Sequence, residues 1–199
     1  MLNVASGGRT FTEDARRAQI IDCTIRALAT LGYRQASMAK VAQLARITPG
    51  LISYHFGSKD ELIAAVVAYV VKLATDLMVP RITAQKTASE ALRVYFETNL
   101  EFMRLHREPL LALVEIITHD RHGPYATQQE TALTDIEKVL AWGQHTGEFR
   151  DFPLRPMAIA IRGAVDAVPG HLLNDPDLDL RGLAVELSTV FSLATRRAP

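Results

Sequence analysis

The sequence predicts an all-α protein, and three observations predict it. Apolar residues recur at helical period through most of the chain, no stretch alternates polar and apolar residues long enough to make a strand, and capping residues stand at the head of several periodic segments. The 199 residues are 48% hydrophobic, 7% aromatic and 22% charged, an ordinary soluble composition that can bury a sizeable core in one domain or two small ones. Neither an internal repeat nor a low-complexity tract interrupts it.

Residues 1 to 9, with Ser6, Gly7, Gly8 and Arg9, read as a flexible arm. Thr10 and Glu13 have the spacing of a capping box, and Ile20, Cys23, Ala27, Leu28 and Leu31 then follow at helical period up to Gly32. A second helix is expected from about Ser37 to Ala45, with Val41, Ala42 and Ala45 on one face and Ala42 small enough for another helix to approach closely. Ser37 is placed to cap it, and Thr48 to cap the next helix with Pro49 at its first position. Ile47 in the connection then meets Ile52 and Phe56 in one small core.

Two short helices crossed in this way, with a further helix starting at once, outline a helix-turn-helix. The second helix of such a unit lies in the major groove of a duplex, its N-terminal residues reaching base edges while nearby N–H and hydroxyl groups hold phosphates. The surface expected to meet DNA is Thr48, Pro49, Gly50, Ser53 and Tyr54, flanked by Ser37, Met38, Arg46, His55 and Lys59.

Ser58 and Glu61 form a second capping-box pair, and the helix they start is expected to run about twenty residues to Pro80 through Leu62, Ile63, Val66, Val67, Val70, Val71, Leu73 and Leu77. It divides the chain into a DNA-binding domain over residues 1 to 57 and a second helical domain over 58 to 199, and its stiffness suits it to carry motion between them. Further helices are expected near 88 to 105, 107 to 118, 125 to 146, 155 to 173 and 179 to 196. Pro109 and Pro156 fit first turns and Gly123-Pro124 ends the loop after His119, whereas Pro169-Gly170 predicts a kink or an early stop.

The formal charge is zero, but residues 1 to 61 hold eight Lys/Arg against five Asp/Glu and residues 62 to 199 hold fourteen against seventeen. A basic end on an acidic body is a small electrostatic footprint for nucleic acid. Cys23 is the single cysteine, which excludes an intramolecular disulfide and a Cys-based metal site; its place in the apolar pattern predicts a buried thiol. The N-terminus lacks a signal-peptide apolar region, and the longest apolar run, Leu62 to Val71, is too short to span a bilayer. The expectation is a cytoplasmic protein with no membrane partner.

Gly32-Tyr33, Val41-Ala42, the run Ile47-Thr48-Pro49-Gly50-Leu51-Ile52, and His55-Phe56-Gly57-Ser58-Lys59-Asp60-Glu61-Leu62 together resemble the signature of the tetracycline-repressor (TetR) family. The resemblance covers roughly the first third of the chain. Two positions depart from the family pattern: Arg46 stands where the turn usually has Gly, so it must accept a positive φ at a cost of about 1 kcal/mol or adopt another turn, and the frequent Tyr of the recognition helix aligns with Ser53, the tyrosine here coming one step later at Tyr54.

The resemblance implies a homodimeric repressor of a palindromic operator, released by a small-molecule effector of unknown identity held among the middle helices. Leu92, Phe96, Asn99 and Met103 share a helix face on which Asn99 is the odd member, so a ligand, a neighbouring helix or a water must satisfy its amide. Tyr95, Phe96, Asn99, Phe102, Met103, Glu115 and Trp142 are the candidate ligand contacts. The last two helices are apolar over more of their circumference than one core uses, which fits either a buried hairpin or, by resemblance, pairing with a second copy through Ile161, Arg162, Val165, Asp166, Val168, Leu172, Leu187, Val190 and Phe191. Arg162 and Asp166 are spaced to pair within their helix or across the dimer axis.

An enzyme is the main alternative class, but a di-iron bundle needs repeated Glu-x-x-His motifs and Glu115 with His119 has other spacing. There is no Gly-rich phosphate loop and no nucleophile elbow, and His119 with His122 is the one candidate metal pair. No catalytic residue, metal site or cofactor is expected. A helical ligand-binding or adaptor protein with a non-functional DNA-binding end is the remaining alternative.

Overall fold

The computed structural model describes residues 10–120 and 123–197; the arm over residues 1 to 9 with Arg9, and His122, lie outside the described residues. Within them the chain forms α1 (Phe11–Leu31), α2 (Met38–Ala45), α3 (Pro49–Phe56), α4 (Lys59–Thr83), α5 (Ala88–Leu105), α6 (Arg107–His119), α7 (Ala126–His145), α8 (Leu154–Asn174) and α9 (Leu180–Thr195). Extended pairing among the described residues amounts to one bridge between Phe149 and Arg196. The all-α expectation holds, and most helix ends fall within a residue or two of those read from the sequence.

The caps explain the ends. Thr10 and Glu13 close the full reciprocal box, with the Thr10 N–H donating to Glu13 Oε2 at 2.7 Å. Ser37 Oγ accepts from Lys40 N at 3.2 Å. At α4 only the forward half of the expected box forms: Ser58 Oγ accepts from Glu61 N, while the Ser58 N–H turns to the Phe56 carbonyl at 2.7 Å. Thr48 holds the N-cap backbone conformation of α3 but makes no side-chain cap bond, which corrects the predicted role of its hydroxyl.

Both interior prolines are absorbed. α4 runs one turn past Pro80 to Thr83, its last turn held to α5 by the Arg81–Glu101 ion pair. α8 continues through Pro169 to Asn174, so the early stop does not occur. A proline removes one i→i−4 bond, and each helix has enough packed residues on either side to bridge the gap.

Two apolar clusters organise the chain. The first joins α1, α2, α3 and the first half of α4, and it takes in Phe102 together with Ala112, Leu113 and Ile116 of α6, so α6 lies along α1. Cys23 is buried within it, as expected. The second is built on α5, with α9 along one side and α7 carrying α8 on the other. Because α6 reaches into the first cluster, the two parts of the chain share buried contacts rather than meeting at a bare linker.

α4 is long and apolar enough to cross a membrane by length and composition, with a mean hydropathy of 2.0 over its best window, which corrects the estimate from the Leu62 to Val71 run alone. Here its apolar residues have other partners: Leu62, Ile63, Val66, Val67 and Val70 enter the first core, and Val71, Ala74 and Met78 line a cavity.

One close approach sets a packing limit. Gly143 of α7 is buried against the Phe149 ring, and a Cβ there would overlap the ring's Cδ2, Cε2 and Cγ atoms. Gly143→Ala should therefore lower stability by about 1–3 kcal/mol, read as a reduced thermal midpoint, despite alanine's better helix propensity.

Candidate nucleic-acid interface and ligand cavity

Ile52 and Phe56, both buried, anchor α3 to the first core and leave its other face to solvent. Thr48, Pro49, Gly50, Ser53 and Tyr54 are all exposed; Tyr54 is 73% exposed with its ring edge-on to His55 at 5.2 Å. A Cβ on Gly50 would meet nothing within 4 Å, so packing within the chain does not require glycine there.

The turn before α3 takes the first of the two expected routes. Arg46 sits in the left-handed region at φ 54°, ψ 45°, where its N–H bonds Gln43 O at 3.2 Å and the Ile47 N–H bonds Ala42 O at 3.0 Å. These two bonds form a Schellman closure, which usually places glycine at this position. Arg46 accepts the strain and keeps an exposed cation at the edge of the α3 surface.

Other side chains brace α3 from behind. Arg17 donates to the His55 carbonyl and lies 4.1 Å over the Phe56 ring, and Gln19 Nε2 donates to the Ala45 carbonyl at 3.1 Å. Sequence reading missed both, because each looks like an ordinary solvated residue on the polar face of α1. Met38 packs its side chain against the core rather than offering it outward, because α2 buries its first turn on α1. Lys59, one of the residues flanking the expected DNA surface, has its Nζ donating to Tyr33 O at 3.2 Å and lying 4.5 Å above the Tyr33 ring.

Tyr33 is a junction. Its N–H donates to Glu115 Oε2 at 2.9 Å, and its ring stacks on His119 at 4.9 Å. The absence of a side chain on Gly32 admits the carboxylate, which would stand 3.2 Å from a Cβ there. Glu115, expected as a ligand contact, is drawn out of that role because it faces α1. The opposite side of α6 carries Leu110, Leu113, Val114, Ile117 and Thr118 to the wall of a cavity. One helix thus touches both the base of the helix-turn-helix and the cavity.

That cavity, about 450 Å³ and open on one side, is lined by α4 to α8. Val70, Val71, Ala74 and Met78 of α4 and Phe102 and Met103 of α5 give it an apolar body. Its polar side groups include Asn99, Tyr125, Gln128, Gln129, Asp135, Arg162 and Asp166. Asn99 Nδ2 donates to the Tyr95 carbonyl at 2.7 Å, so half of the amide is satisfied within α5.

Of the other candidate contacts, Phe96 is fully buried in the second core and stacks on Phe191 at 5.3 Å, and Trp142 packs against the same core. Tyr95 lies just behind the wall, and its hydroxyl is the one buried side-chain polar atom among the described residues with no hydrogen-bond partner. Helical period shows which residues share a face; it does not show which neighbour fills that face.

The predicted interface set divides similarly. Ile161, Val165, Val168, Leu172 and Phe191 are buried inside this chain, because α8 turns them toward α7 and α5 and α9 turns Phe191 toward α5. Arg162 and Asp166 pair within α8, Nη2 to Oδ1 at 2.8 Å, and line the cavity. Leu187 is half-buried and Val190 exposed. The apolar residues α8 and α9 leave outside are instead Ile159, Leu173, Val185, Val190 and Leu193, each more than half exposed.

Residues 20–66, from mid-α1 into α4, match the model described as bacterial regulatory proteins, tetR family. Over that segment the chain is similar to the TetR family of regulators. Among its relatives is the HTH-type transcriptional regulator BetI of Burkholderia cenocepacia, 30% identical over 112 residues, which are 56% of this chain and 58% of BetI. The chain thus spans a little over half the length of that relative. BetI of Cronobacter sakazakii aligns over 91% of this chain and 88% of its own length at 24% identity. A transcriptional regulator from Saccharomonospora viridis, solved in complex with choline, superposes with a TM-score of 0.81 at 21% identity, covering 93% of this chain and 100% of its own. The likeness is one of fold, and it extends over the whole helical body.

Proposed function

We propose that this chain is a TetR-family DNA-binding transcriptional repressor that acts as a homodimer on a palindromic operator and is released by a small molecule in the α4–α8 cavity. The observation that carries the DNA reading is the fully exposed N-terminal surface of α3, Thr48, Pro49, Gly50, Ser53 and Tyr54, held rigidly by buried Ile52 and Phe56. Base edges are read by Thr48, Ser53 and Tyr54, and phosphates are met by Ser37, Arg46 and backbone N–H groups at the start of α3. Residues 1 to 57 form the reading head and 58 to 199 the effector and dimerisation body, in the cytoplasm where the DNA is. A dimer fits the exposed apolar residues of α8 and α9, Ile159, Leu173, Val190 and Leu193, and two heads on a dyad reach major grooves about 34 Å apart.

A footprint on the DNA immediately upstream of the chain's own gene, over a salt series, tests this reading. A protected stretch with dyad symmetry and an affinity that falls steeply with salt is the expected result. No protection there or on random genomic fragments, down to low salt, counts against the DNA role.

Gly50→Ala separates fold from function. The new methyl enters open space, so thermal stability should hold or rise by up to about 1 kcal/mol. Operator affinity should nevertheless fall by about tenfold, about 1.4 kcal/mol, since the methyl stands between α3 and the groove.

A further inference from the structure

Arg162 is mostly buried at one end of the cavity. Its Nε and Nη2 donate to Asp166 at 3.0 and 2.8 Å, and Nη2 also donates to the Tyr125 hydroxyl at 2.8 Å. Its Nη1 makes no full hydrogen bond among the described residues, and the Tyr95 hydroxyl is a near neighbour of the guanidinium. The Tyr125 oxygen accepts from Arg162, which leaves its own hydrogen to donate elsewhere.

Tyr95 adds an independent observation. Its hydroxyl is buried with no partner at full hydrogen-bond geometry, yet it lies near enough to Arg162 for the guanidinium to act on it both as a charge and as a donor. Burial raises the pKa of both phenols, so both stay protonated and remain donors. Burial acts to lower the Arg162 pKa, but Tyr95, Tyr125 and Asp166 outweigh it and keep the guanidinium charged. This end of the cavity therefore holds more donors than acceptors, and a buried donor left unpaired is costly. α7 adds Gln128, Gln129 and Asp135, the last paired with Lys138, while the α4, α5 and α6 walls are mainly aliphatic or aromatic.

We propose that the effector is an amphipathic carboxylate, with its anionic head on Arg162 Nη1 and the Tyr125 hydroxyl and its hydrocarbon body against Val70, Ala74, Phe102 and Leu113. The assignment rests on the cavity being the effector site. A carboxylate offers two acceptor oxygens and matches a guanidinium edge. A quaternary ammonium head fits worse: it needs aromatic faces or an unpaired carboxylate, the lining aromatic rings are Phe102 and Tyr125, and Asp166 is already engaged. The volume of about 450 Å³ lies within the range of small-molecule sites, well above what a short acid alone would fill.

Titration calorimetry of the full chain with decanoate, decanol and decyltrimethylammonium, each below its micellar concentration, tests the head while holding the body constant. Decanoate should bind at least tenfold tighter than either of the others. Arg162→Gln should remove that advantage and leave decanol binding unchanged. Tyr125→Phe, which keeps ring shape and the Arg162–Asp166 pair, should weaken decanoate about threefold to tenfold and guards against misfolding of the Arg162 variant. If decanol or the ammonium binds as tightly as decanoate, or if both folded variants retain decanoate, the carboxylate assignment is wrong while the cavity reading survives. If none of the three binds, both fail.

Discussion

In the proposed repressor, replacing Glu115 with alanine should leave the folded protein able to bind its operator but make that binding nearly insensitive to effector, with the ratio of operator affinities without and with saturating effector falling tenfold or more. Allosteric coupling is a free energy between sites, commonly about 1–3 kcal/mol or about 5–150-fold, and it needs an element that both sites bias. α6 meets that requirement. Its Leu113, Val114 and Ile117 face the cavity, and its Glu115 and His119 grip Tyr33 at the base of the helix-turn-helix. The same Tyr33 carbonyl and ring hold Lys59 at the head of α4, so a shift of α6 is delivered to two helices at one residue. Glu115→Ala removes the acceptor from the Tyr33 N–H; Glu115→Gln keeps an acceptor oxygen and should retain most of the response. Amide exchange at Tyr33, faster in Glu115→Ala and near wild-type in Glu115→Gln, checks that the intended contact was broken. An unchanged effector response in the alanine variant would mean that coupling runs through α4 alone.

How much of this was legible beforehand depends on what kind of contact each residue makes. Helix ends were legible because a Thr10–Glu13 box or a Ser37 cap is closed by residues three apart, and local chemistry decides it. The α3 surface was legible for the same reason: eight residues with Ile52 and Phe56 on one side leave few choices for the other. The cavity was half legible. Asn99, Phe102 and Met103 line it as expected, but Phe96, one position along the same helix stripe as Asn99 and Met103, belongs to the core behind. Which side of α5 faces α9 and which faces the cavity is a long-range matter that period alone cannot decide. Arg162 shows this most clearly. Its pairing with Asp166 was one of two readings, but the Tyr125 contact that turns it into a cavity residue spans thirty-seven positions of sequence.

Phe96 then carries the largest expected stability effect. Its side chain is fully buried and stacks on Phe191, which ties α5 to α9 near the middle of the second core. Phe96→Ala should cost about 3–5 kcal/mol, transfer loss plus cavity. For a chain of this size that corresponds to a fall of roughly 6–20 °C in thermal midpoint. Phe96→Leu, which keeps much of the volume, should cost under about 1.5 kcal/mol. The distinction from a ligand contact is direct, because a cavity-lining residue lost from an empty site costs little stability, whereas Phe96 is packed whether or not a ligand is present. The effect should also reach the operator. α9 presents Val190 and Leu193 outward on the face proposed for dimerisation, and Phe191 between them is what seats that face on α5. Loosening the seat should raise the protein concentration needed for half-saturation of a two-headed operator more than that for a single half-site. Equal loss on both would place the damage in the reading head rather than in the dimer, and would count against α9 as the shared interface.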